Sequence, residues 1–280
     1  MSMTAFATVL FAAMLHAGWN AIVKGGQDKL MTTALIAICA SVLAAAALPF
    51  LAQPVPASWP YICASVLLQG GYFVLVARIY QITDMSLAYP VMRGTAPLLV
   101  ALASVILLHD SLNPAAVTGI AIICAGVLGM AAAGRAQAAA NKRGLLLALL
   151  NAMVIASYTL VDGIGVRLSQ APAGYACWIF LLTGLPFLIW VLARRRQDFA
   201  RYLGRHATTG LIGGIGTSAS YGLALWAMTF APVATVSALR ETSILFGTAI
   251  SGLILHEKLS RNRIAAAALI AAGAIVLRLG

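Results

Sequence analysis

Residues 93–112 read RGTAPLLVALASVILLHDSL, and residues 240–259 read RETSILFGTAISGLILHEKL. A displacement of 147 positions lays Arg93 on Arg240, Thr95 on Thr242, Leu98 on Leu245 and Ser104 on Ser251. Leu108-His109-Asp110-x-Leu112 then falls on Leu255-His256-Glu257-x-Leu259, and Gly126 falls on Gly273. Small-residue composition produces isolated matches, but it explains aligned Arg-x-Thr and His-acid-x-Leu signals poorly. A looser match sets Ala17-Gly18-Trp19-Asn20 against Ala156-Ser157-Tyr158-Thr159. The chain reads as a duplication, with halves at 1–138 and 139–280.

Each half has the same content. Apolar runs of about 18–23 residues, the length that crosses roughly 30 Å of hydrocarbon as a helix, can be drawn ten times. The first five are Thr4–Val23, Met31–Leu51, Trp59–Tyr80, Ser86–Leu108 and Pro114–Ala133; a linker, Gly134 to Arg143, follows. The second five are Gly144–Val161, Tyr175–Leu192, Ala207–Phe230, Val233–Leu255 and Ile264–Leu277. The first run lacks a basic leader and carries His16, Trp19 and Asn20 late, so it reads as a retained helix. An odd number of spans per half makes the second half enter the membrane upside down. Inverted repeats of this kind place a substrate site between halves that rock to alternate access. The expected fold is all-α and integral to the membrane, with ten helices in two inverted five-helix repeats around a central cavity.

Composition agrees. Of 280 residues 62% are hydrophobic and 9% charged, with a mean hydropathy of +0.96; a soluble domain carries about 25% charged residues. The alternating ten-residue segments of a membrane β-barrel are missing. The net charge of +11 belongs to short connections rather than to a nucleic-acid surface. Lys24 and Lys29 follow the first span, and Arg135, Lys142 and Arg143 the fifth. Arg194, Arg195, Arg196, Arg201 and Arg205 follow the seventh, and Lys258, Arg261 and Arg263 the ninth. The connections after spans two, four and eight carry no basic residue, and that after the sixth has only Arg167. The positive-inside rule then puts both termini outside. The dispersed cysteines 39, 63, 124 and 177 fit small apolar side chains, and neither they nor the four histidines form a metal-ligand, HExxH or nucleophile pattern. No catalytic residue, metal or cofactor is expected.

These residues resemble the drug/metabolite transporter superfamily, in its bacterial ten-helix branch with two EamA-type repeats. The resemblance rests on the two Leu-His-acid-x-Leu segments, each before a small-residue helix (Ala125-Gly126-Val127 and Ala272-Gly273-Ala274), and on His16-Ala17-Gly18-Trp19-Asn20. It implies a basket of helices in a bacterial cytoplasmic membrane, exporting amino acids or related metabolites. Family members are frequently drawn with cytoplasmic termini, opposite to the charge bias here. Other cargoes remain open: sugar or nucleotide derivatives, lipid-linked substrates and drugs. The carboxylate that small multidrug exporters use in their first helix has no counterpart here.

Ionisable groups within spans are functional candidates. Arg93 and Arg240 suit a carboxylate held by paired hydrogen bonds, though an ion pair with Glu241 or a neighbouring helix explains them equally well. Trp19, Asn20, Tyr72, Tyr89, Tyr158, Tyr221 and Trp226 form the expected aromatic and polar wall, where an ammonium finds cation–π contact. Glu241 is the candidate for proton coupling, against which its neighbour Arg240 favours the charged form. Arg78 and Asp162 read as interface residues near span ends, as do Trp59, Tyr61, Tyr175, Trp178 and Trp190. Pro90 and Pro97 mark a break or a kink in the fourth span, and Gly210-x-x-x-Gly214 a close helix contact. Partners reduce to a small-molecule substrate and the bilayer, with monomer and homodimer undecided.

Overall fold

The computed structural model describes residues 1–107, 110, 112–131, 142–253 and 260–280, and its regular structure there is helical. Among these residues eleven α-helices follow in order. The first six are α1 (Met3–Gly25), α2 (Lys29–Ala47), α3 (Trp59–Ile82), α4 (Met85–Leu107), α5 (Pro114–Ala131) and α6 (Lys142–Ser169). Then come α7 (Pro172–Arg194), α8 (Arg196–Met228), α9 (Val233–Arg240), α10 (Ser243–Leu253) and α11 (Arg261–Leu279). Eight are long and apolar enough to cross a membrane, and Pro114–Met130 is a shorter apolar helix. The chain is an all-α, multi-pass membrane protein. The linker residues 134–141, the proposed boundary between the halves, lie outside the described residues. So do Leu108, His109 and Leu255–Leu259 of the repeated motif.

Two elements depart from the sequence reading, and a third decides between its alternatives. The ninth span is two helices, of 8 and 11 residues. Glu241 and Thr242 form the turn between them, with N–H groups bonded to Ala238 and Leu239 carbonyls at 3.0 Å each. No proline or glycine lies there. Conversely, α4 runs through both Pro90 and Pro97 unbroken. The arginine-rich connection after the seventh span is itself helical: α8 starts at Arg196 and kinks at His206 (φ −127°, ψ 17°). Asp198 pairs there with Arg195 and Arg201 at 3.4 and 2.7 Å, which relieves the local charge enough for a helix.

Helix packing follows the small residues. A Cβ on Gly210 would sit 2.5 Å from Leu35, and one on Gly214 would sit 2.9 Å from Cys39, so α8 presses on α2 through the expected glycine face. Crossing of α5 and α11 is as close, because a Cβ on Gly119 would meet the Gly273 carbonyl at 2.9 Å. The main pairings are α1 with α8, α3 with α6, α2 with α7, α5 with α11, and α4 with α6. Both α9 and α10 lean on α1. Leucines such as Leu67 and Leu253, each 77% exposed, face outward, as a lipid-facing surface requires.

Candidate transport site

The broken ninth span places Glu241 opposite Arg93 of α4. The Arg93 Nε donates to Glu241 Oε2 at 3.1 Å, and Nη2 stands 3.0 Å from Oε1 without hydrogen-bond alignment. Both side chains are largely enclosed, at 13% and 4% exposure, so each neutralises a charge that burial alone would penalise heavily. Tyr72, Tyr89 and Tyr158 gather within electrostatic reach of the same guanidinium. Tyr72 and Tyr158 meet edge to face, with centroids 6.1 Å apart.

Arg240 fares differently. Its guanidinium lies over the Tyr221 ring, 4.9 Å from the centroid, and among the described residues it makes no ion pair. The Tyr221 hydroxyl donates in turn to Asp162 Oδ2. Tyr175 donates to Asp162 Oδ1 at 3.0 Å, with Ser65 alongside. Asp162 and Tyr175 are wholly buried, which corrects the interface reading of both. The sixth span ends at Ser169 rather than near Val161, so Asp162 lies about two turns inside it. Its signal in the sequence, an acidic residue at the edge of an apolar run, is visible there but is misplaced by the boundary.

A cavity of about 670 Å³ touches this cluster at Tyr89. Lys24, Lys29 and Arg263 line one end, and His16, Asn20 and Tyr89 line it further in, with α10 contributing Ser243 and Gly247. No acidic residue is among its described lining residues. The other end of the helix bundle is tied shut around Arg167. Its Nε donates to the Met228 carbonyl at 2.8 Å and Nη2 to the Ala231 carbonyl at 3.0 Å, while Nη1 stands 3.9 Å from Asp110. Three connections, after the fourth, sixth and eighth spans, thus converge on one side chain.

Of the residues singled out in the sequence, Tyr72, Tyr89, Arg93, Tyr158, Tyr221, Arg240 and Glu241 come together in this cluster. Asn20 lines the cavity, its amide donating to the His16 carbonyl at 2.7 Å. Trp19 packs edge-on against His16 at 5.2 Å, and its buried Nε1 has no hydrogen-bond partner among the described residues. Trp226 stands apart: it is 42% exposed and packs against Phe230. His16, Asp162 and Tyr175 belong to the site's neighbourhood, although the sequence alone does not single them out for it.

A model of the EamA-like transporter family matches residues 142–279 of this chain. A model of the Small Multidrug Resistance protein family matches residues 30–123. Comparison with curated proteins gives no match. Among solved structures, 24 chains match. One, described as "Crystal structure of protein", is 22% identical, and the match covers 100% of this chain and 98% of that one at a TM-score of 0.78. At that identity the likeness speaks for the fold alone. With transporter-family matches in each half of a chain of membrane-spanning helices, the protein belongs to the drug/metabolite transporter superfamily and is a membrane transporter of small molecules.

Proposed function

We propose that the chain is a ten-span secondary transporter of two inverted halves, 1–138 and 139–280, that exports carboxylate-bearing metabolites, amino acids foremost, from the bacterial cytoplasm. Helix pairing supports the inverted halves. Exchange each span for the one five places away, and α1 with α8 becomes α6 with α3, while α4 with α6 becomes α9–α10 with α1; every one of these pairs is packed. The 147-residue displacement carries Gly119 to Ala266 and Gly126 to Gly273. Gly119 lies against Gly273, and a Cβ on Gly126 would sit 3.0 Å from the Ala266 carbonyl, so the two contacts are images of each other.

The observation that carries the substrate reading is the unequal fate of the two arginines. Arg93 meets Glu241; the displacement puts Gly94 where the matching carboxylate for Arg240 would stand. Arg240 is left with a ring face beneath it and, among the described residues, no ion pair, which suits it to hold a substrate carboxylate. Tyr72, Tyr89, Tyr158 and Tyr221 provide the aromatic wall for the rest of the cargo, with Trp19 and Asn20 at its cavity side. Glu241 acts as a strut for Arg93, and a coupling role for it is the weaker reading, since discharging it would leave Arg93 buried alone. The positive-inside rule places the basic mouth of the cavity in the cytoplasm, the Arg167 end outside and both termini outside. The cavity then loads from the cytoplasm, as export requires.

Uptake of labelled amino acids into proteoliposomes, comparing wild type with Arg240→Gln, tests this reading. Saturable uptake in the wild type, lost in a folded Arg240→Gln, supports it; wild-type protein inert toward every amino acid defeats the amino-acid cargo. Sugar or nucleotide derivatives and lipid-linked substrates come next. A cationic drug fits less well, because the described part of the cavity lining carries basic and no acidic side chains.

A further inference from the structure

Asp162 is the buried carboxyl that the transport reading leaves unused. Both its oxygens accept phenolic O–H groups, from Tyr175 and Tyr221, with Ser65 beside them. Among the described residues no cation pairs with it. Around it stand Ser65 of α3, Tyr175 of α7, Tyr221 of α8 and Arg240 of α9, with Tyr61 of α3 beyond, beside Tyr175. On its own helix, Tyr158 lies one turn away, facing Arg93 of α4, and Arg167 is occupied by the Met228 and Ala231 carbonyls. A carboxylate enclosed at this depth, with Arg240 near but not in ion-pair contact, carries a large desolvation cost. Taking up one proton removes that cost. A metal cation would need several oxygen ligands at once, whereas the proton of a carboxyl needs a single acceptor, which a neighbouring hydroxyl supplies by rotating its own O–H away, so a proton fits the shell better than sodium.

Tyr221 connects this carboxyl to the proposed cargo anchor. Its hydroxyl bonds Asp162 while its ring carries the Arg240 guanidinium. An anion drawn to Arg240 weakens the positive field at Asp162, and by linkage each site then senses the other's occupancy. We propose that Asp162 is the proton-binding carboxyl of the transport cycle, coupled through Tyr221 to the occupancy of Arg240. On release the carboxyl O–H bond breaks, its electron pair stays on the carboxylate, and the proton passes to water admitted as the cavity switches sides. The inference rests on the transporter reading and is independent of which cargo is moved.

Infrared pH titration of the full chain in lipid tests it without a cargo. The wild type is expected to show a protonated-carboxyl C=O band that disappears on deprotonation and shifts in D2O. Asp162→Asn should lose that band and Glu241→Gln should keep it. Tyr221→Phe, which retains the ring and the fold, removes one donor to the charged form and should displace the midpoint; Arg240→Gln should displace it too. A band that survives in Asp162→Asn, a midpoint indifferent to both Tyr221→Phe and Arg240→Gln, or the lack of any titrating band in the wild type overturns the proposal. So does a band that sodium abolishes and potassium does not. Labelled amino-acid flux in vesicles with a pH gradient separates the two readings. If the wild type moves no amino acid the cargo assignment fails, while the infrared result still decides Asp162.

Discussion

Arg93 and Arg240 align across the two halves of the chain and finish in opposite circumstances. Arg93 is fastened to Glu241, 3.0 Å away on the broken ninth span. Arg240, one residue before that glutamate, lies over the Tyr221 ring at 4.9 Å and makes no ion pair among the described residues. The same residue type at matching positions is therefore ion-paired in one case and, among the described residues, without an ion pair in the other. The difference comes from one position, Gly94 against Glu241. At these matched positions the sequence has two guanidiniums and, one residue on, a carboxylate in only one case.

The largest expected effect separates the two arginines by stability. Arg93→Ala leaves Glu241 buried without its partner and should cost about 3–5 kcal/mol, read as a fall in Tm in detergent; removing both side chains should recover part of that loss. Arg240→Ala should leave Tm nearly in place, and an equal fall in both variants would erase the distinction. Next comes function. Arg240→Gln should lower uptake by about 10–100-fold, the worth of roughly 1.5–3 kcal/mol for a charge-assisted hydrogen bond, with Arg240→Lys between it and wild type. A smaller change is expected at the crossing of α5 and α11. Gly119→Leu overfills a contact where the opposing Gly273 carbonyl already stands 2.9 Å from a Cβ. That should cost about 1–3 kcal/mol, again as Tm. The smallest effect belongs to Trp226→Ala, expected to change uptake by less than about twofold, since an outward, half-exposed ring away from the cluster leaves the anchor's hydrogen bonds intact. A large loss there would return Trp226 to the cavity wall.

A second pair of regions makes a related point about backbone. The fourth span holds Pro90 and Pro97 and stays one helix; the ninth holds neither proline nor glycine at its break and divides in two. Proline removes one N–H and frees one carbonyl, which neighbours in a bundle can satisfy. At Glu241 the turn keeps its own hydrogen bonds, with N–H groups reaching back three residues, and the side chain thereby reaches Arg93. Local propensity points to the wrong span because the decisive partner lies 148 residues away in the chain.

The sequence by itself determined the class of fold and the setting. Runs of apolar residues long enough to span a bilayer leave a helix bundle as the available solution, because backbone groups in hydrocarbon must be paired internally. The matches at a displacement of 147 residues and most of the clustered polar residues are legible for a similar reason: a charge or phenol in an apolar run is conspicuous wherever it points. Direction is not legible. Tyr221 and Trp226 lie about five residues apart on α8, a little over one turn. Only packing shows that one bonds Asp162 while the other faces outward. Asp162 itself reads as an edge residue because the apolar run ends at Val161, about two turns short of the helix end at Ser169. Which arginine found the single carboxylate was decided by tertiary structure, since an ion pair depends on the distance between charges in space and not on their separation along the chain.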